Sequence, residues 1–308
     1  MGAELSAVAG EPRLAVVVLS HGDEPLILDA LASLAAQDLE LEVVVSHSGG
    51  GSTPELVIAA FPAVRVVASA ERRLPGAARN AGVAVTSAPF IAFLASDCVA
   101  EPGWAAARLK RHERGAAAVG SAMVAPAGAA PLASHLLQHW SRMPHRVPQP
   151  AERFGVSYSR ELLDRLGGFR DELAIAEDAE LNARVLGDGV PIEWAPEVLL
   201  GHAYPQTVRE LVTDAFARAR RRAAVGNRLL RRFALAARAL AAPCAGVATA
   251  LALASAVPTH RVLRALPLIA IGACAGVLGA LAGAPPEPGA LAELRFHRFA
   301  RAYARVSR

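Results

Sequence analysis

A chain of 308 residues can hold one large domain plus an appendage, and its three cysteines, Cys98, Cys244 and Cys274, have neither the number nor the spacing of a disulfide framework or a zinc site. Hydrophobic residues make up 53% of it before its 25 glycines are counted, above the usual share for a soluble domain, although alanine supplies much of the excess. The net charge of +4 rests almost wholly on arginine and gathers late in the chain, a distribution that argues for an anionic surface near the C-terminal end rather than a uniformly basic protein.

The first dozen residues carry Glu4 and Glu11 and no continuous apolar run, so they do not read as a cleaved secretory signal and the domain that follows is expected in the cytoplasm. Leu14 to Leu19 is a short Val-rich run ended by Ser20-His21-Gly22, which predicts a buried strand entering a turn. Leu26, Ile27, Leu31 and Leu34 then recur at helical spacing after Pro25. Leu41 to Val45 predicts a strand, Pro54 to Phe61 a helix after the possible caps Ser52 and Thr53, Val64 to Ala68 a strand and about Gly76 to Val85 a helix. Phe90 to Leu94 is the fourth strand, and Pro102-Gly103-Trp104 opens a helix ending near Gly115. Strands joined by helical crossovers imply a mostly parallel α/β sheet covered on both faces, which binds ligands beyond the carboxyl ends of its strands. Ser20, Ser46 to Gly51 and Ala95 to Cys98 all fall there.

From Ala125 to Pro150 the pattern dissolves, apart from a short helix around Leu132 to Trp140. Order returns with a strand near Val156 to Ser159, a helix to Leu166, the turn Gly167-Gly168-Phe169, a helix from about Glu177 to Leu186 and a late strand at Ile192 to Trp194. His202 falls in a predicted loop, and a helix from near Thr207 carries Arg218, Arg220, Arg221 and Arg222. Ala239 to Val257 and Ala265 to Ala284 contain no charged residue and approach the roughly 20 residues that span a bilayer. Pro258-Thr259-His260-Arg261 connects them, and arginines outside both ends favour a hairpin with cytoplasmic flanks; a pair of Ala-rich helices packed on the soluble domain is the alternative. The expected organisation is a tail at 1–12, an α/β domain at 13–226, the hairpin at 227–284 and a basic amphipathic tail at 285–308. The arginine cluster adjoins a hydrophobic segment and lacks interleaved aromatics, which favours a membrane surface over nucleic acid.

Asp97 follows the fourth strand, where a carboxylate can share a divalent cation with a ligand phosphate or can cap the helix opening near Pro102. Glu177-Asp178 opens a helix, where two acids either complement the dipole or supply a base. Gly76 to Gly82 opens another; its amides and Arg79 can meet a diphosphate, and close helix packing explains the glycines equally well.

The order of these features resembles the family 2 glycosyltransferases of the GT-A fold over about Leu14 to Gly226. The resemblance is carried by Ala78-Arg79-Asn80-Ala81-Gly82, by Phe90 through Cys98 with Glu101-Pro102-Gly103-Trp104, by Gly167-Gly168-Phe169, by Glu177-Asp178-Ala179-Glu180-Leu181 with Arg184, and by Gly201-His202. It implies a Rossmann-type sheet, a nucleotide-sugar donor, a divalent cation (Mg2+ or Mn2+) and inversion at the anomeric carbon during transfer to an acceptor hydroxyl. Asp178 then matches the catalytic base, Asp97 the last acid of the metal-binding Asp-x-Asp, and His202 a further metal ligand. Ser20, Ser46, Arg79, Asn80 and Ser96 are the expected donor contacts, with Glu177 and Arg184 in support. Two positions depart from the pattern: Ala95 takes the first acidic place of Asp-x-Asp, and Ser46-His47-Ser48 stands where an Asp pair usually reads the base and ribose. These departures leave open a catalytically silent sugar-nucleotide-binding or scaffold protein of the same fold. With the hairpin inserted, the protein belongs on the inner membrane with its catalytic domain cytoplasmic, and a lipid-linked acceptor follows as an expectation.

Overall fold

The computed structural model describes residues 12–224 and 257–282, with short stretches between 236 and 251. At its centre is β1 (Leu14–His21), in which Leu14 through Val18 are wholly buried. Side-chain alternation sends Leu14, Val16 and Val18 into one core and Ala15 and Val17 into the other, so the strand needs apolar residues at every position. β2 (Glu42–Ser48) and β4 (Phe90–Ala95) flank β1 in parallel, and β3 (Arg65–Ser69) lies beyond β2. Two of the crossovers, α1 (Ile27–Ala35) and α2 (Thr53–Ala60), contribute to the first core. A third, α3 (Pro75–Val83), lies so close to β1 that a Cβ at Gly82 would fall 2.3 Å from Val17 Cγ1.

The complete eight-stranded order is β3-β2-β1-β4-β7-β6-β8-β5, the last four being β5 (Cys98–Ala100), β6 (Ala118–Met123), β7 (Phe154–Ser159) and β8 (Ile192–His202). β7 runs antiparallel to β4 and β6, β8 is parallel to β6, and β5 is antiparallel to β8. The parallel arrangement expected from the βα alternation therefore holds through β4, and the rest of the sheet is mixed. β5 follows β4 after only Ser96 and Asp97, yet β7, β6 and β8 separate the two in the sheet. The sheet must curl until its far edge returns beside the carboxyl end of β4.

Two strands have no counterpart in the sequence reading. β5 is only three residues long, and β6, Ala-Val-Gly-Ser-Ala-Met, is buried at every position and so shows no alternation. The late strand expected to stop at Trp194 continues to His202, with a register shift against β6 near Gly120 and Ala122. His202 is accordingly a strand residue rather than a loop residue, because pairing with β5 extends β8 to that point.

The remaining helices are α4 (Trp104–Glu113), α5 (Ala129–Gln138), α6 (Arg160–Leu166), α7 (Glu177–Gly187), α8 (Val208–Ala224) and the apolar α9 (Thr259–Ala282). A Cβ at Gly272 would lie 2.5 Å from Leu137 Cδ1, and one at Gly279 would lie 2.2 Å from the Phe216 carbonyl oxygen, so α9 packs closely on α5 and α8. Thr259, His260 and Arg261 form the first turn of α9 rather than a free connection, and Arg261 donates to the Pro126 carbonyl. Most of the first expected hydrophobic segment, Ala239 to Val257, lies outside the described residues, as does the basic tail.

Candidate active site

In the parallel half of the sheet all carboxyl ends share one rim, where Ser20 pairs with His47 and Leu19 with Ala95. The Ser20 hydroxyl lies 2.9 Å from His47 Nδ1, while His47 Nε2 donates to the Gly50 carbonyl at 2.7 Å. A carbonyl can only accept, so Nδ1 is left to accept from Ser20. Gly49, Gly50 and Gly51 have φ values of 84°, 69° and 95°, a run of left-handed backbone that only glycine adopts without strain. The loop after β2 is thus pinned by His47. Ser46 is wholly buried and its hydroxyl donates to the Ala78 carbonyl at 2.6 Å, joining β2 to α3; Ser96 is buried in the link between β4 and β5.

Asp97 occupies that same link. The pairing of β5 with β8 sets Cys98 opposite His202, and the Ala203 amide donates to the Asp97 carbonyl at 2.8 Å. Asp97 Oδ2 lies 3.4 Å from His202 Nε2, and the carboxylate is 41% exposed while the imidazole is 9% exposed. Asp97 does not cap α4, whose N-cap position is Gly103 with no side-chain hydrogen bond. Burial lowers the His202 pKa, opposed by Asp97 and reinforced by Arg218 and Arg142, so the ring is neutral near pH 7 and keeps a lone pair. His202 Nδ1 is buried with no hydrogen-bond partner, and ligand atoms of Asp97, Cys98 and His202 all lie within 4.8 Å of one another. Burial, aided by Asp97, pushes the Cys98 thiol pKa up and holds sulfur in its poorly ligating protonated form. The neutral imidazole presents Nε2 beside the Asp97 carboxylate, a nitrogen and oxygen pair that fits a borderline divalent cation such as Mn2+.

The second acidic centre is built by α3 and α7. Ala176, φ 60°, is the only non-glycine with positive φ among the described residues, and it turns the chain into α7. Glu177 is buried and ion-paired with Arg79, whose guanidinium carbon also lies 5.1 Å from the Phe169 ring centroid. Asp178 is left half-buried, one carboxylate oxygen accepting from the Ala179 amide at 2.8 Å. Asn80 donates to the Phe169 carbonyl at 2.8 Å and to Asp171 at 2.7 Å, and accepts from the Phe169 amide at 2.9 Å. Arg184 pairs with buried Glu180 at 2.8 Å and donates to the carbonyls of Leu166 and Gly168, both at 2.7 Å. A Cβ on Gly76 would fall 2.2 Å from the Arg170 carbonyl oxygen, so this glycine permits α3 to meet the same loop.

Sequence reasoning missed the cations and aromatics between these centres. Arg142 ends the 3-10 turn Trp140–Arg142 and stacks 4.3 Å from the Phe154 ring centroid, with no ion-pair partner among the described residues. Burial depresses its pKa, opposed most strongly by Asp178, and it in turn helps lower that of His202; one guanidinium thus feels both centres. Tyr204 OH is hydrogen-bonded to His135 Nδ1 at 2.7 Å and His139 Nδ1 at 2.9 Å, and its ring lies 4.6 Å from that of His202. The only sequence signal for this group was an irregular, His-rich stretch too long for a simple connection.

A curled sheet with a carboxylate beyond its fourth strand, a histidine returned beside it and an acidic helix start is the layout of a GT-A-like fold. Residues 15–159 match the family model described as Glycosyl transferase family 2. Succinoglycan biosynthesis protein ExoO of Rhizobium meliloti is 36% identical over 118 residues, 37% of this chain and 33% of ExoO. A pre-mycofactocin glycosyltransferase of Mycobacterium tuberculosis is 25% identical over 212 residues, 63% of this chain and 45% of its own length. The matches therefore span less than half of either relative. Among solved structures, S. aureus TarS 1-349 aligns over 86% of this chain and 90% of its own at TM-score 0.51 and 16% identity, a likeness of fold.

Proposed function

We propose that the protein is a membrane-associated, inverting glycosyltransferase of hexosyl type that moves a sugar from a nucleotide-sugar donor to an acceptor hydroxyl. The observation that carries this is the return of neutral His202 to the side of Asp97 by the β5–β8 pairing, at the rim where a GT-A-like sheet meets its ligand. Asp97 and His202 would hold a divalent cation, which supplies charge neutralisation for the departing diphosphate.

The chain's own groups do the rest. Ser20, the loop from Ser48 to Gly51 and Ser96 stand on the nucleotide side of the rim, where backbone amides can meet ribose and phosphate, while wholly buried Ser46 acts by tying β2 to α3. Arg79 and Asn80 act through the loop at Phe169 and through Glu177, and Arg184 fixes the same loop from α7. Asp178 accepts the acceptor's hydroxyl proton as that oxygen bonds to the anomeric carbon. The bond from that carbon to the diphosphate breaks with its electron pair leaving on oxygen, so a single displacement inverts the centre. Arg142, without a carboxylate partner among the described residues, offers positive charge between the two acids.

The C-terminal helix supports a membrane setting. α9 turns Val262, Ile269, Gly272, Ala273, Gly276 and Ala280 toward the domain and exposes Leu263, Leu266, Ile271, Leu278 and Leu281, an apolar outer face that a bilayer would cover.

Asp178→Asn should lower kcat by about 10²–10⁴-fold with donor affinity preserved, the usual range for a lost general base. Asp97→Asn should instead weaken donor binding and its dependence on Mn2+. A donor screen by mass spectrometry with calorimetric titration separates the two; turnover that survives Asp178→Asn removes that residue from its role. Failure of every donor to bind would overturn the transfer reading, whereas donor binding without turnover would favour the silent sugar-nucleotide-binding protein left open by Ala95.

A further inference from the structure

A cavity of about 360 Å³ lies outside the rim, between the segment after α5, helix α8 and helix α9. Its apolar wall is made of Gly272, Ala273, Gly276 and Ala280, the small residues that α9 presents to the domain. Its polar wall carries Arg146 and Arg218 with one carboxylate, Glu152, and Trp140 lies between. Arg218 is held 2.7 Å from Asp214, which also accepts from Gln138 at 3.1 Å. Arg146 stacks 5.0 Å from the Trp140 ring and has no ion-pair partner among the described residues. The cavity is therefore amphipathic, with an unpaired cation on one wall and a hydrocarbon-like surface on the other. It also adjoins the site: Trp140 and Ser141 line it, while His139 and Arg142 bracket the same turn, the His139 ring lying 5.2 Å from that of His202.

We propose that this cavity is the acceptor subsite and takes a hydroxyl-bearing amphiphile with an anionic head and one hydrocarbon chain. Arg146 and Arg218 meet the head, and the chain follows the glycine and alanine stripe of α9 toward its exposed leucines. Large side chains would close such a channel, which gives the small residues of α9 a purpose beyond packing. The inference rests on the sugar-transfer reading above and names its acceptor class.

The test uses the full chain in phosphatidylcholine nanodiscs, with Trp104 and Trp194 replaced by Phe so that Trp140 is the reporter, and reads tryptophan fluorescence during titration. Farnesyl phosphate and oleoyl lysophosphatidic acid are the probes, distinguishing an isoprenoid from an acyl chain; farnesol and inorganic phosphate are controls lacking one half of the chemistry. Saturable binding of either probe should be at least tenfold tighter than of both controls. Ala219→Phe, which fills the cavity, and Arg146→Gln, at an exposed position that leaves the fold intact, should each weaken it at least fivefold without altering donor binding. Equal affinity for phosphate or farnesol, or binding unchanged in both variants, overturns the proposal. Probe binding that obeys these substitutions in a protein that binds no nucleotide-sugar upholds the cavity and overturns the sugar-transfer reading instead.

Discussion

Ala176 occupies left-handed backbone immediately before the two acids of α7, a conformation that costs an ordinary L-residue about 1–2 kcal/mol. Glycine would remove that cost but lose about 0.5–1 kcal/mol through a more mobile unfolded chain. Ala176→Gly should therefore leave stability unchanged or raise it by up to about 1.5 kcal/mol in urea melts. A loss larger than that would show that the alanine methyl makes contacts outweighing the strain. Buried His112 makes a different prediction. Its Nδ1 donates to the Ala116 carbonyl at 2.6 Å, its Nε2 faces the Ser157 hydroxyl at 2.7 Å, and burial pushes its pKa from 6.5 down to about 4. Between those values the unfolded chain takes up a proton that the folded chain refuses, so stability falls as pH drops from about 6.5 to 4, by on the order of 3 kcal/mol. His112→Gln should be less stable at pH 7 yet show a flatter decline to pH 5; parallel declines would assign the acid sensitivity to other groups. Asn80 shows how little of a residue's task its identity discloses. The sequence marks it as a donor contact, and the structure spends its amide on both backbone groups of Phe169 and on Asp171.

At the scale of elements, the site depends on strands that sequence patterning could not register. β5 is too short for a period, yet its pairing with β8 is what brings Asp97 to His202. α7 was legible from its acids, but their division of labour was not: Glu177 is consumed by Arg79, Glu180 by Arg170 and Arg184, and Asp178 stays available. Helix contacts set by glycine offer a direct test. Gly279→Val places a Cβ into the Phe216 backbone, which has no freedom to give way, and should separate α9 from α8 at a cost of about 1–3 kcal/mol. Faster limited proteolysis between the two helices checks it. Unchanged cleavage would mean that α9 docks without this contact.

For the molecule as a whole, one apolar helix of 24 residues joins an α/β domain whose two cores are already covered by their own helices. Its Leu263, Leu266, Leu278 and Leu281 are exposed, and the membrane setting proposed above would cover them. Membrane fractions should retain the protein through high-salt and alkaline washing and release it in detergent; release by salt alone would reduce the association to surface charge.

Local apolar patterning determined most strands and helices, the parallel first half of the sheet and the rim on which ligands gather, because each follows from a period of two or 3.6 residues within one segment. The positions of Asp97 and Asp178 followed from the same reading, since both stand where an element begins or ends. Tertiary structure alone decided which of these groups meet. His202, Arg142, His139 and Tyr204 come together through a curled sheet and an irregular connection, and contacts between residues tens of positions apart leave no period in the chain.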